Sequence, residues 1–506
     1  GPMMNIDRNA RHGRNWEGFG SDPYLSGENA FAYVQGVQDQ NVVATAKHYI
    51  CNEQETNRVS DVMAYSAYLD DRTMHEIYLW PFASSVAAGV GSVMCSYNQV
   101  NGTPACQNDK TLNGLLKGEL EYPGNVMSDW GATKSGVPSV LGGLDIDMPG
   151  DSFMGDALVP FVQNGTIPQS RIDDMITRIM APYYLLGQDQ NYPTLNLDRN
   201  AIGDNHKINR EISAAGMILL KNTNNALPFN VTTDNYFYIY GEPAGQSDCG
   251  LDNGGWGGHG GALYQGGGSG FVEPTYGIDP LTSLMAKGRD AGLQIRYVTN
   301  QNDYGLINNT FKSRGFNNAR CLVFISAFSS EGSDRANLDP MDDGNKLVQT
   351  VAANCPKTIV IVNSVSQLNL EAWIDLPNVV GVVWTGMPGT EYGPALVDVL
   401  FGDYNPGGKL VFTLAKNDAD YGTDISPTMN STYSEGIFLD YRHFDKNAIT
   451  PRFSFGYGLS YTTFSFSQLD ITKITNRKSV ASSQYVQKRQ RTYSKFGSLK
   501  LYEPVY

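Results

Sequence analysis

Short apolar runs alternate with longer amphipathic segments over the first part of the chain. Four of these runs are predicted as buried strands, at residues 42–50, 90–98, 125–130 and 142–150. The stretches between them place apolar residues at helical spacing, as over 61–88. Strands that alternate with helices predict a parallel sheet with right-handed crossovers, so we expect an α/β fold here.

A polar linker over residues 187–205 interrupts this pattern, and a second α/β region is predicted over 206–414. A loop-rich connection follows over 415–452, and the run 453–471 resembles the opening of a β module. That module and an unplaced polar, basic tail together cover 453–506. The predicted strands of the second region are 235–241, 294–299, 321–327, 357–363 and 378–386.

One Gly-rich stretch, residues 253–270, could be mistaken for a nucleotide-binding loop. It lacks the Gly-Lys-Ser/Thr ending that a phosphate loop needs, and it does not directly follow a strand in a dinucleotide fingerprint. It is therefore predicted to be a loop between domains.

Composition narrows the function classes. The 506 residues are long enough for two or three domains, and the net charge of -14 argues against nucleic acid as a partner. No apolar run of about 18 residues is present, so no membrane span is predicted. The polar, basic first residues do not form a signal peptide.

The compartment is inferred from cysteines and glycosylation triplets. Six cysteines permit disulfides without requiring them. Five Asn-x-Ser/Thr triplets, each in a segment predicted as a loop, favour a secreted glycoprotein. Their acceptors are Asn101, Asn164, Asn230, Asn308 and Asn430.

The predicted strands of the first region end in chemically able side chains. Lys47 and His48 lie near the end of one predicted strand, Tyr97 near the end of the next, and Asp129 and Trp130 at the end of a third. The ends of parallel strands meet at one edge of a sheet, where α/β enzymes carry their chemistry. An indole can cover the apolar face of a sugar ring, cations can bind its hydroxyls, and a carboxylate can attack its anomeric carbon.

Glycoside hydrolysis needs a second carboxyl group, at about 5–5.5 Å for retention or about 6.5–9.5 Å for inversion of configuration. The residues alone do not determine which residue supplies this second carboxyl group. The candidates are Glu53, Glu55, Glu331, Glu391 and Glu435.

Several motifs together resemble glycoside hydrolase family 3, on its fungal β-glucosidase branch. They occur in the family's order over about residues 1–470. They include GRNWEGFGSDPYLSG (13–27), KHYICNEQETNR (47–58), SVMCSYNQVNGTPACQN (92–108), VMSDWGAT (126–133), GLDIDMPG (143–150), AAGMILLKN (214–222), WTGMPGTEYG (384–393), EGIFLDYRHFD (435–445) and FSFGYGLSYTTF (453–464).

The resemblance implies a retaining β-glucosidase. It implies a (β/α)8 barrel, of which residues 1–186 would form the C-terminal part, then an α/β sandwich domain and the start of a fibronectin-III-like module. Asp129 would be the nucleophile and Glu391 the general acid/base. The substrates would be terminal β-D-glucosyl groups of cellobiose, short β-glucans or aryl glucosides. No metal or cofactor is expected, and a homo-oligomer is left open.

The resemblance also implies residues that bind the sugar. Trp130 would form an aromatic wall beside the leaving group, and Ser329 would touch the sugar from the second domain. Taken singly, Lys47 and His48 could instead form salt bridges, while Met94 and Trp130 could be packing residues. The residues that match the family's glucose subsite are Arg14, Lys47, His48, Met94 and Tyr97.

The sequence also departs from the family. Its first residues resemble a strand well inside the family's barrel, so only about half a barrel is expected, and the family's Asp for the outer sugar hydroxyls has no match. Gly267 lacks the indole that the family usually carries there, and Cys95 and Cys106 flank a hairpin where they could pair. Two alternatives therefore stay open: a β-xylosidase or exo-β-glucanase of the same family, or a catalytically incompetent carbohydrate-binding fragment.

Overall fold

The first part of the chain forms a small parallel sheet with helices around it. The computed structural model describes residues 1–59, 63–150, 153–196, 198–248, 250–251, 260–313 and 315–472. We call residues 1–186 the half-barrel. Its strands are β1 (Thr45–Tyr49), β2 (Ser66–Tyr68), β3 (Ser92–Cys95), β4 (Gln99–Val100), β5 (Thr103–Pro104) and β6 (Asn125–Ser128). Its helices are α1 (Pro23–Gln38), α2 (Asp71–Thr73), α3 (Trp80–Ala87), α4 (Val137–Leu141), α5 (Val159–Gln163) and α6 (Gln169–Leu185), with π-helical segments at Met74–Tyr78 and Lys110–Glu119.

The parallel sheet has the order β1-β3-β6, which confirms three of the four predicted strands. The fourth, at 142–150, is wrong, because only Ile146 bridges to Met127 there. The carboxylate of Asp145 accepts the backbone N–H of Val126 at 2.8 Å, so a side chain occupies a position that a strand's backbone would fill. At the opposite edge of the sheet, Met3 forms an isolated β-bridge with Lys47 in β1.

The predicted helix over 61–88 is partly wrong. Helical structure begins only at Asp71, and residues 66–68 form strand β2 instead. Pairing with β4 and with a distant segment stabilises β2, and tertiary pairing of this kind overrides local helical spacing. Residues 60–62 lie outside the described residues.

The second α/β region, predicted over residues 206–414 and called the second domain below, contains a six-stranded sheet in the order β7-β12-β11-β10-β8-β9. All five predicted strands are present, and β7, which sequence analysis missed, pairs antiparallel with β12. The strands are β7 (Ile218–Asn222), β8 (Tyr236–Tyr240), β9 (Gln294–Val298), β10 (Arg320–Ala327), β11 (Thr358–Ser364) and β12 (Val379–Trp384). The helices are α7 (Asn205–Gly216), α8 (Pro280–Ala291), α9 (Tyr304–Thr310), α10 (Gly344–Asn354) and α11 (Tyr392–Phe401).

Helices cover both faces of this sheet, as continuous apolar strands predict. Along β10, Leu322 and Phe324 pack into one core while Val323 and Ile325 pack into the core on the opposite face. The α/β prediction is therefore confirmed for both regions.

The connection over 415–452 returns to the half-barrel. Its strand β13 (Asn430–Thr432) pairs in parallel with β2, and helix α12 (Tyr441–Lys446) follows. The Arg8 guanidinium forms a buried ion pair with Glu435 and lies over the ring of Tyr433. This segment therefore adds a strand to the sheet of the half-barrel that contains β2.

The predicted β module is not seen in the described residues 453–472, which contain no strand. Phe453 bridges to Leu414 and Leu459 to Leu219, so this segment is held by single bridges to the second domain. The rest of the predicted module, 473–506, lies outside the described residues, as do 252–259 of the Gly-rich stretch. No helix in the described part of the chain is long and apolar enough to cross a membrane.

Two disulfides are formed among the described cysteines. The pair Cys95–Cys106 is the one that the hairpin made possible, and Cys321–Cys355 was not predicted. The second disulfide ties the start of β10 to the end of α10. Cys51 is a buried free thiol.

Candidate active site

Asp129 lies directly after β6, at the carboxyl edge of the half-barrel sheet. Its backbone N–H donates to the carbonyl of Cys95 at 3.1 Å, and its Oδ1 accepts the backbone N–H of Trp130 at 2.7 Å. Its Oδ2 is buried and has no hydrogen-bond partner among the described residues. The residue is 9% exposed, so one carboxylate oxygen is fixed and the other is free at the edge of the sheet.

Burial raises the pKa of Asp129. The Trp130 N–H, the charges of Arg14 and Arg58, and the Tyr97 hydroxyl each favour the ionised carboxylate and partly oppose that rise. A carboxylate that is poorly solvated in its ionised form gains more from reacting with a developing cation than one in water does.

A buried carboxylate, Glu17, holds two of the predicted sugar-binding cations together. The Arg14 Nε donates to Oε1 at 2.6 Å and its Nη2 to Oε2 at 3.0 Å, while the Lys47 ammonium donates to Oε2 at 3.1 Å. Burial alone would raise the pKa of Glu17, but its bonds to Arg14 and Lys47 outweigh burial and lower it. The positions of the two cations are therefore coupled.

His48 follows Lys47 and points its ring at Asp129. Its Nε2 lies 3.6 Å from Asp129 Oδ2, beyond hydrogen-bond distance. Burial, and then the charges of Arg14, Lys47 and Arg58, lower the pKa of His48 well below its usual value. The ring is therefore uncharged at neutral pH.

Three further predicted sugar-binding residues of the half-barrel are aromatic or carry sulfur. Tyr97 is partly buried with the Arg58 guanidinium carbon 4.5 Å from its ring centroid. Burial, and then the nearby charge of Asp129, raise the pKa of Tyr97. Met94 is partly exposed although its neighbours in β3 are fully buried, and Trp130 is 64% exposed. Neither Met94 nor Trp130 is a buried core residue.

The second domain meets this edge through the segment after β10. The Ser329 hydroxyl donates to the Gly13 carbonyl at 2.7 Å, so its hydrogen is used in an interdomain bond. Asp334 accepts the backbone N–H groups of Gly13 and Thr56 at 3.1 and 2.7 Å. Glu331 accepts from Arg14 at 3.1 Å and from Arg58 at 2.7 Å. The second domain therefore holds the segments that carry Arg14 and Arg58.

Of the five carboxyl candidates, three form ion pairs with arginines: Glu55 with Arg58, Glu331 with Arg14 and Arg58, and Glu435 with Arg8. Burial raises the pKa of Glu53 to about 7, but this residue is only 1% exposed and sits behind Asn5.

Glu391 is different from these four. It sits at the start of α11, and its Oε1 accepts the Tyr276 hydroxyl at 2.8 Å. In the described part of the chain, no cation forms an ion pair with it. It is therefore free of the arginine contacts that hold the other candidates.

Sequence reasoning did not single out Asn5 or Glu17, and it considered Glu331 only as a possible acid. Asn5 comes from the first extended segment and contacts His48, while Glu17 lies three residues after Arg14 within the NWEGF motif. The i,i+3 spacing of Arg14 and Glu17 in a short helical turn is a signal for their pairing. No local signal points to Asn5, because its partners are 43 and 48 positions away.

The five predicted glycosylation acceptors are all exposed. Their prediction as loop residues is wrong for two, because Asn308 lies in α9 and Asn430 begins β13. The triplet specifies a side-chain pattern and not a backbone conformation.

Comparison with known proteins identifies the family. The model of the glycosyl hydrolase family 3 N-terminal domain matches residues 1–181, and that of the family's C-terminal domain matches residues 217–461. Probable beta-glucosidase L of Emericella nidulans is 45% identical over 487 residues, which cover 90% of this chain and 64% of the relative. Beta-glucosidase cel3A of Pyricularia oryzae is 43% identical, covering 91% and 64%.

Solved structures agree. Beta-D-glucoside glucohydrolase from Trichoderma reesei has a TM-score of 0.86 and 43% identity, covering 92% of this chain and 67% of that chain. DesR, a beta-glucosidase from Streptomyces venezuelae solved with D-glucose, has a TM-score of 0.82 and 27% identity, covering 94% and 74%. The chain belongs to glycosyl hydrolase family 3, which confirms the resemblance, and it spans 64% of the length of the two fungal relatives above.

Proposed function

We propose that this chain carries the site of a retaining β-glucosidase that removes terminal, non-reducing β-D-glucosyl groups. The observation that carries the proposal is Asp129 Oδ2, a buried carboxylate oxygen without a partner among the described residues. It lies at a sheet edge with Arg14, Lys47, His48 and Tyr97, whose side chains suit a ring bearing several hydroxyls.

In the first step Asp129 Oδ2 attacks the anomeric carbon, and the bond to the leaving oxygen breaks as Glu391 transfers its proton to that oxygen. In the second step a water oxygen attacks the same carbon, the bond to Oδ2 breaks, and the water's proton returns to Glu391. The Trp130 N–H holds Oδ1 throughout, so only Oδ2 is available for attack.

Glu391 is assigned as the acid/base because it forms no ion pair with an arginine in the described part of the chain. Glu55, Glu331 and Glu435 each form one. Glu53 fails on access, because it is buried beneath Asn5. Among the described residues, the Glu391 carboxyl group accepts only the Tyr276 hydroxyl, which leaves its other oxygen available to a glycosidic oxygen.

The sugar is proposed to be glucose, in cellobiose, short β-glucans or aryl β-glucosides, since the fungal relatives are named beta-glucosidases and DesR was solved with D-glucose. A β-xylosidase or exo-β-glucanase activity is the alternative within the family. A panel of nitrophenyl β-glycosides separates these, with the glucoside expected to have the highest kcat/KM.

The proposal is tested by intact mass after incubation with 2-deoxy-2-fluoro-β-glucosyl fluoride, followed by peptide mapping. We expect one fluoroglucosyl adduct, on the peptide that holds Asp129, and none on Asp129→Asn. An adduct on another carboxylate would overturn the nucleophile assignment. If the folded protein binds glucose in a calorimeter but forms no adduct, the alternative of a carbohydrate-binding fragment is correct.

We also propose that the protein is a secreted glycoprotein. Two disulfides are formed, and all five glycosylation triplets have exposed acceptors. The mass of protein secreted by a fungal host is expected to fall on treatment with an endoglycosidase, and an unchanged mass would contradict this. Homo-oligomerisation stays a prediction, which size-exclusion chromatography with light scattering would test.

A further inference from the structure

The amide of Asn5 contacts His48 at three atoms. Its Oδ1 accepts the backbone N–H of His48 at 2.9 Å and lies 3.1 Å from the ring Nδ1. Its Nδ2 donates to the backbone carbonyl of His48 at 3.2 Å and to Oε1 of Glu53 at 3.3 Å. All three residues are buried.

These contacts determine which terminal atom of the Asn5 amide is the oxygen and which is the nitrogen. A backbone N–H can only donate and a backbone carbonyl can only accept, so the atom facing the His48 N–H must be the oxygen and the atom facing the carbonyl must be the nitrogen. The ring Nδ1 therefore faces an oxygen acceptor, and it must carry a hydrogen to bond with it.

An uncharged imidazole carries one ring hydrogen, so a protonated Nδ1 leaves Nε2 with a bare lone pair. The His48 ring is buried and lies among the cations Arg14, Lys47 and Arg58, all of which disfavour a second proton. A bare Nε2 is consistent with its 3.6 Å separation from Asp129 Oδ2, which is beyond hydrogen-bond distance.

We propose that His48 faces the substrate as a hydrogen-bond acceptor through Nε2, and that Asn5 is the positioning residue that imposes this tautomer. The inference deepens the proposed function and rests on it for the substrate. Arg14 and Lys47 present only donors to the sugar, so His48 supplies the site with an acceptor that differs from the nucleophile. One sugar hydroxyl must then donate its hydrogen to Nε2.

This arrangement also protects the nucleophile. A donor at Nε2 would bond to Asp129 Oδ2 and stabilise the resting carboxylate, which would lower its nucleophilicity. With the lone pair in that place, Oδ2 receives no hydrogen bond from His48 before the anomeric carbon arrives.

The tautomer is measured directly, without substrate, by a long-range proton–nitrogen correlation spectrum of the chain labelled with 15N-histidine at neutral pH. The chain has six histidines, and His48 is assigned as the signal lost in His48→Gln. We expect a protonated Nδ1 and an unprotonated Nε2. A protonated Nε2, in the other tautomer or in an imidazolium, would overturn the proposal.

Asn5 is tested with two variants and a matched control. Asn5→Leu removes the acceptor, and we expect the Nε2–H tautomer to become populated, whereas Asn5→Asp keeps an oxygen at that point and should keep Nδ1 protonated. The control is Asn98→Leu, since Asn98 is an equally buried amide whose Nδ2 donates to Ile50 and Gln99 carbonyls. An unchanged His48 spectrum in folded Asn5→Leu would overturn the role of Asn5. If Asn5→Leu does not fold, Asn5→Asp decides: loss of the Nδ1 proton there overturns it.

Substrate analogues test the acceptor role. Each glucose hydroxyl is replaced in turn by hydrogen or fluorine, and the position that faces His48 is the one whose deoxy penalty disappears in His48→Leu, which has no acceptor. There we expect fluorine to weaken binding as much as hydrogen does, by at least about tenfold, because fluorine cannot donate. Retained binding of that fluoro sugar would overturn the acceptor role. If no analogue binds while Nε2 is bare, the glucosidase proposal fails and the Asn5–His48 assignment stands.

Discussion

The guanidinium of Arg14 donates to Glu331 across the junction between the half-barrel and the second domain, with 3.1 Å between Nη1 and Oε1. Arg14 belongs to the predicted sugar subsite, while Glu331 follows β10 of the second domain. The two domains therefore share one ion-pair network that includes Glu17, Lys47 and Arg58. Changes at the junction are expected to affect sugar binding as well as stability.

Glu331→Gln is expected to make stability less dependent on acid pH. Burial alone would raise the pKa of Glu331, but Arg14, the Ser269 N–H and Arg58 outweigh it and lower the pKa from 4.5 to about 2. The ionised carboxylate therefore stabilises the folded state fully above pH 4.5, and this contribution is lost as the pH falls from 4.5 to about 2. Urea unfolding across this range should show a shallower pH dependence for the variant.

The control for Glu331 is Glu119→Gln, which removes a half-exposed carboxylate paired with His75. A surface pair of this kind contributes at most about 1 kcal/mol. We also expect Glu331→Gln to raise KM for glucosides, since Arg14 loses a partner. Parallel pH curves for wild type and Glu331→Gln would refute the predicted coupling.

The loss of activity in Glu391→Gln is expected to be larger for substrates with poorer leaving groups. Turnover of cellobiose should fall by about 10²–10⁴, the usual contribution of a positioned acid, while formation of the glycosyl-enzyme from a dinitrophenyl glucoside should fall far less. Azide should restore turnover and give a β-glucosyl azide, which nuclear magnetic resonance identifies. In Glu371→Gln, which removes a carboxylate paired with Arg452, the leaving-group dependence should stay that of wild type.

Trp130→Ala is expected to impair binding without unfolding the protein. The indole is 64% exposed, so its removal should change the free energy of unfolding by no more than about 0.5 kcal/mol. KM for aryl glucosides should rise by about tenfold if the indole covers the substrate, as the loss of one stacking contact implies. Trp373→Ala is the contrast, because this buried indole should cost about 3–5 kcal/mol. An unchanged KM for Trp130→Ala would remove the aromatic-wall assignment.

Removing the two disulfides is expected to have unequal effects. Cys321 and Cys355 are 34 positions apart and Cys95 and Cys106 are 11 apart, so loop-closure entropy gives about 4 and about 3 kcal/mol respectively. The double variant Cys321→Ala/Cys355→Ala should unfold at lower urea concentration but keep its KM. The variant Cys95→Ala/Cys106→Ala should also raise KM, because Cys95 precedes Tyr97 by two residues. A larger loss of stability from the shorter loop would contradict this order.

The strands of the second domain were predictable because they are buried on both faces. Continuous apolar runs such as 321–327 and 357–363 are strong signals, and both became strands. Asp129, Lys47 and His48 could be placed together for the same reason, since three neighbouring apolar runs end at one edge.

The parts that sequence analysis missed depend on contacts far apart in the chain. Strand β2 exists because of β4 and β13, and at 142–150 the backbone bonds to the sheet only around Ile146, while the Asp145 carboxylate accepts the Val126 N–H. Asn5 could not be recognised from its neighbours, because only the folded chain places its amide against His48. Long-range pairing and buried polar geometry leave no periodic trace in a sequence.

The ion pair between Arg8 and Glu435 joins residues 427 positions apart. During synthesis at about 5–20 residues per second, the ribosome needs roughly 20–85 s to travel from one partner to the other. Throughout that interval Arg8 lacks its ion-pair partner and β2 lacks its neighbour β13. Completion of the sheet that contains β2 therefore waits for a strand that is translated much later in the chain.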